Sequence, residues 1–128
     1  MPGHHDGSMG NAMSIATSGM QAASMRLEAA ASNIVNMDSN SYQPVSVAQS
    51  PAPDGGVSSS LQPVTPASLL AYDPASPYAN VQGMVAKPNV DMPTEIVNLK
   101  LASHSFQASI QAYKAASKMF KTLLDATT

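Results

Sequence analysis

Few side chains in this 128-residue chain are suited to acid–base or metal chemistry, and their positions argue against both. There is no cysteine, which removes thiol nucleophiles, thiolate metal sites and disulfides. The histidines are His4, His5 and His104. A catalytic histidine needs a carboxylate to orient it, and none stands at helical spacing from His104. The plainer reading of His104 is a helix-surface residue. Asp38, Asp54, Asp73, Asp91, Glu95 and Asp125 are scattered and mostly cap- or turn-like. No glycine-rich phosphate loop or nucleophile elbow is present. His4 and His5 lie in Met1–Ser8, MPGHHDGS, which reads as an affinity-tag remnant, because two imidazoles without a third ligand make a poor metal site. The expectation is a chain with no catalytic residue, no cofactor and no metal.

Composition narrows the partners. Charged residues make up 11% and the net charge is -2, so neither nucleic acid nor an acidic membrane surface is expected as a partner. With no tryptophan, two phenylalanines and four tyrosines, the core must be modest, and much of the apolar content is alanine, which contributes little burial. No stretch approaches the roughly 20 apolar residues of a spanning helix, so direct membrane insertion is not expected. The N-terminus lacks a basic segment followed by an apolar run, so export, if it occurs, is expected without a cleaved signal peptide.

With chemistry set aside, the informative feature is the C-terminal run from Asn89 to Leu124. It has neither proline nor glycine after Pro93. Ile96, Leu99, Phe106, Ile110, Tyr113, Phe120 and Leu124 follow helical spacing, with Ser103 and Ser117 filling the gaps. Asp91 suits an N-cap and Pro93 a first turn. Glu95 lies near the positive end of the helix, and Lys114, Lys118 and Lys121 lie toward the negative end. Val97, Leu101, Ala108, Ala112, Ala115, Met119 and Leu123 form a second apolar strip, more than one short helix can cover.

A second helical pattern runs from Met13 to about Asn36. Met13, Met20, Leu27 and Ile34 recur every seven residues, with Ala16, Ala23 and Ala30 at the other seam position. Asn33, Asn36, Asp38, Ser39, Asn40 and Ser41 end it with turn chemistry. The middle is rich in proline and serine, and Pro44, Pro51, Pro53, Pro63 and Pro66 preclude a long central strand. Short strands are expected at Val45–Val47, around Val57 or Leu61–Val64, at Ser68–Tyr72 and at Met84–Ala86, in a small irregular β-rich insert or a partly mobile loop. The expected fold is mainly α: N- and C-terminal helices pair as a coiled-coil hairpin around that insert. The expected boundaries are 1–8 for the tag remnant, 9–41 for the first helix and turn, 42–90 for the insert and 91–128 for the last helix.

Several stretches match a known pattern. Ser18-Gly19-Met20-Gln21-Ala22, Arg26-Leu27 and Ala31-Ser32-Asn33-Ile34-Val35-Asn36, closing at Tyr42, resemble the N-terminal signature of bacterial flagellar rod and hook proteins. Pro88-Asn89-Val90-Asp91, Glu95-Ile96-Val97, Ser105-Phe106-Gln107-Ala108 and Ala115-Ala116-Ser117-Lys118-Met119 resemble that family's C-terminal motif. Tyr72-Asp73-Pro74-Ala75-Ser76-Pro77-Tyr78-Ala79-Asn80 is similar to a segment of its proximal rod subunit. Val35, Ser41, His104, Phe106 and Ser76 depart from the usual residues, Ser41 standing where a glycine normally precedes the tyrosine.

The resemblance implies a structural subunit exported by the flagellar type III apparatus. It implies assembly with itself and other rod subunits through terminal helices into the torque-transmitting shaft of the periplasmic basal body. Met20, Leu27, Asn33, Ile34, Asn36, Ile96, Leu99, Phe106, Ile110, Tyr113 and Phe120 are the expected assembly residues. The alternative is a soluble helical-hairpin adaptor that binds a partner helix outside the flagellum.

Overall fold

Two long helices flank two short β-hairpins in a computed structural model that describes residues 4–127, the first six of them as backbone only. The order is α1 (His4–Val35), β1 (Val45–Pro51), β2 (Val57–Pro63), β3 (Ser68–Tyr72), β4 (Met84–Pro88) and α2 (Met92–Thr127). The mainly α expectation holds. Residues 1–3 of the tag-like segment lie outside the described residues.

Helix α1 starts at His4, inside the tag-like segment and before both the expected boundary at residue 9 and the start of the periodic pattern at Met13. Nothing after Pro2 stops it, since Gly7 and Gly10 each lower helix propensity by only about 1 kcal/mol relative to alanine. Helix α2 starts as its sequence dictates. The Asp91 carboxylate accepts from the Thr94 N–H at 3.3 Å and from the Thr94 hydroxyl, and the Glu95 N–H reaches the Asp91 carbonyl at 3.0 Å. At 32 and 36 residues, the helices span about 48 and 54 Å.

The helices run antiparallel. Gly19 of α1 lies against Ser109 of α2, and further along Asn33 lies against Glu95. The buried hydrophobic positions among the described residues are Ala16, Ala22, Ala23, Ala29, Ala30, Ala102, Ala116 and Val85, so the core is built almost wholly of alanine. Small side chains let the two backbones come close, and packing here depends on approach more than on side-chain bulk.

The middle is more regular than its composition suggested. β1 pairs antiparallel with β2, and β3 with β4, each as a separate two-stranded sheet. Pro51, Pro63 and Pro88 are tolerated because each ends its strand at a position whose backbone faces away from the partner, where no ladder N–H is needed. Ser41 makes the turn into the first hairpin with a φ of +64°, accepting the left-handed conformation that glycine adopts more cheaply.

Candidate assembly surface

The first hairpin is wired to α1 at both ends. At its base, the Asn33 side chain donates to the Val45 carbonyl at 2.7 Å and accepts from the Val45 N–H at 3.0 Å. The amide thus stands in for a neighbouring strand. The Tyr42 hydroxyl donates to the same Asn33 oxygen at 2.9 Å and lies 2.8 Å from the Ser32 hydroxyl. Asn33 is 1% exposed, so these bonds form where an unmet polar group would be costly. At the hairpin tip, the Val57 N–H donates to the Ser18 hydroxyl at 3.2 Å. A side chain on Gly56 would meet that hydroxyl at 2.6 Å, so only glycine allows the close approach.

Glu95 sits where α2 passes the clamp. Burial pushes its carboxyl above the usual 4.5, hydrogen bonds from Asn33 and Asn98 pull it back, and the Asp91 charge raises it slightly. Glu95 and Arg26 line the same shallow cleft with Asn98, Leu101 and β1 residues Val45 to Val47.

The expected seam residues divide. Met20, Leu27, Ile34, Leu99, Phe106, Ile110 and Phe120 are half-buried along the helix pair, whereas Ile96, Tyr113 and Leu124 remain exposed. The centre of contact has shifted round α2 to Ala102, fully buried, and Ala116, with Ser109 midway between them against Gly19. Ser117, expected within the seam, is exposed. The shift follows from size, because Ala102, Ser109 and Ala116 recur every seven residues and permit an approach that Phe106 and Tyr113 cannot. That small-residue heptad was present in the sequence and is visible once small residues are scored with large ones.

Asn36 keeps a local task, donating to the Ser32 carbonyl at 3.0 Å and accepting from the Ser39 hydroxyl at 3.2 Å. His104 is exposed on α2. The bonding partnership of Asn33 with Tyr42 and Val45 had no signature in periodicity, because it joins a helix end to a strand across a turn.

The surface left over is apolar. Val97, Leu101 and Met119 are 54%, 55% and 59% exposed. With Ala108, Ala112 and Ala115 they form a strip roughly 90° round α2 from the Ala102–Ser109–Ala116 line that meets α1. No helix among the described residues is long and apolar enough to cross a membrane. A long unpartnered apolar strip on a rigid helix, beside a core this thin, defines a structural assembly subunit.

Comparison with known proteins gives the class a family. Residues 81–126 match the family described as flagellar basal body rod FlgEFG protein C-terminal. The chain is 39% identical to the flagellar basal-body rod protein FlgC of Salmonella typhimurium, with 88% of this chain and 94% of the relative covered. It is 37% identical to that of Escherichia coli over the same shares, and 30% identical to that of Aquifex aeolicus over 91% and 95%. The chain belongs to the FlgC family of flagellar basal-body rod proteins. It is a structural rod subunit and not an enzyme. Nothing in the comparisons favours an adaptor outside the flagellum.

Proposed function

We propose that this subunit builds the proximal part of the rod, with α1 and α2 acting as one antiparallel coiled-coil unit whose uncovered α2 strip packs against helices of neighbouring subunits. The single observation that carries this reading is the exposed line from Val97 through Leu101 to Met119, flanking the face of α2 that meets α1. Burying such a strip yields about 25 cal/mol per Å² of apolar surface, and a helical array of like helices covers it without a larger core in each chain. Self-association and association with other rod subunits both follow, as does transmission of torque along stacked helices. Export through the flagellar type III apparatus to the periplasmic rod, without a cleaved signal, fits a helix pair with so small a core. Of the expected assembly residues, Ile96 and Tyr113 are exposed and available to neighbours, while the half-buried ones shape the pair that presents the strip.

The test is complementation of a strain lacking its own copy, using Leu101→Asp. The variant should melt as the wild type does yet restore neither rod assembly nor swimming. Wild-type motility with Leu101→Asp would remove the strip from the assembly surface.

A further inference from the structure

Each strand has one edge turned away from its hairpin partner, and three of these four edges are stopped by the chain itself. In the first hairpin, the Val64 N–H bonds the Pro44 carbonyl at 2.9 Å and the Ala52 N–H bonds the Gly56 carbonyl at 2.8 Å. By antiparallel alternation, Val45, Val47, Gln49 and Pro51 face outward on β1, and Val57, Ser59, Leu61 and Pro63 on β2. On β1, Val45 is held by Asn33 and Pro51 has no N–H. On β2, the Val57 N–H is held by Ser18 and Pro63 has none.

The second hairpin differs between its two edges. The Asn89 N–H bonds the Ala67 carbonyl and the Asp73 N–H bonds the Gly83 carbonyl, both at 2.9 Å. Met84, Ala86 and Pro88 therefore face outward on β4, and Ser68, Leu70 and Tyr72 on β3. Asn80 closes the β4 edge by accepting from the Met84 N–H through its side chain and donating its own N–H to the Met84 carbonyl, each at 2.9 Å. Pro88 offers no N–H, and its carbonyl accepts from the Val90 N–H at 2.8 Å. No hydrogen bond of this kind, and no proline, glycine or charge, stops Ser68, Leu70 or Tyr72. Leu70 and Tyr72 are 67% and 71% exposed.

An unguarded apolar edge is a template for another strand. Neither helix nor the other hairpin packs on this one; β4, with Val85 buried, lies beside the Asp38–Asn40 turn and leaves the β3 edge uncovered. We propose that β3 pairs antiparallel with β3 of a second copy, with the two-fold axis through Leu70, to give a four-stranded sheet. A two-fold sets Leu70 opposite Leu70 and Ser68 opposite Tyr72. The segment suits itself as a partner: a charge at its centre would face its own copy, whereas leucine pairs favourably there. Among the described edges, only β3 offers three successive unstopped residues, so only a second β3 matches it in length. The pairing uses no residue of the α2 strip and is tested separately from rod assembly.

Sedimentation of the full chain across a concentration series, with residue-resolved amide exchange, tests it. The expected result is a reversible dimer in which the amides of Ser68, Leu70 and Tyr72 slow with concentration, while those of Leu69 and Ala71 are already protected. Leu70→Pro, which deletes an outward N–H and spares the inward ladder, and Leu70→Lys, which sets like charges face to face, should both abolish the dimer. Leu70→Val and Leu101→Asp should keep it, which separates this pairing from the helix strip. A wild type that stays monomeric throughout overturns the proposal. So does a dimer that survives both disruptive variants, or edge protection that arises only when other rod proteins are added.

Discussion

β1–β2 and β3–β4 are both antiparallel hairpins with strands of five to seven residues, yet the first is fastened to α1 at both ends and the second touches neither helix. The first has Asn33 at its base and Ser18 with Gly56 at its tip. The second lies beside the Asp38–Asn40 turn and is tied within itself by Asn80 across its loop and by a surface ion pair between Lys87 and Asp73 at 3.5 Å. An exposed pair of that kind contributes little. The contrast teaches that equal secondary structure carries unequal mechanical roles. One hairpin stiffens a helix, and the other is an arm whose edge stays available.

The contrast is broken most severely at Asn33. Asn33→Leu strands the Val45 N–H and carbonyl and leaves the Tyr42 hydroxyl with Ser32 alone, and should lower global stability by about 2–4 kcal/mol, read from denaturant unfolding. An unchanged midpoint would mean that the first hairpin is no better integrated than the second.

Glu95, beside the clamp, sharpens the same point through pH. Its folded carboxyl lies above the ordinary 4.5, so the folded state holds the proton more tightly than the unfolded chain does. The stability it adds is therefore present below about pH 4.5 and lost as pH rises through the folded value. Glu95→Gln should flatten that decline in a melting-temperature series, and parallel curves for the two proteins would contradict the assignment. The smallest effect is expected in the arm. Asn80→Ala should leave the global midpoint within about 0.5 kcal/mol of wild type, while the amides of Gln82 and Met84 exchange faster. A large global loss would show that the arm is coupled to the helices after all.

The sequence was most legible where one local rule sufficed. Asp91 and Pro93 announced the start of α2, and short apolar stretches between the prolines located all four strands within a few residues. Ser41 was legible as the site of a turn, although only the structure shows a serine holding the left-handed conformation. The contact line on α2 was half legible. Large residues marked the face, but the helices meet along Ala102, Ser109 and Ala116, because closest approach is governed by the smallest side chains.

The residues alone decide that there are two long helices, a proline-punctuated middle, no chemistry at His104 that neighbouring side chains could support, and membership in a rod family. Those features depend on neighbours within a few positions along the chain, or on motifs kept in order. Tertiary structure alone decides that Asn33 completes a strand edge, that Gly19 and Gly56 permit close approaches, that the apolar strip of α2 is left uncovered, and that β3 is the edge without a stop. Each of these joins residues distant in sequence, where the outcome depends on which groups remain unpaired once the backbone has closed its own hydrogen bonds.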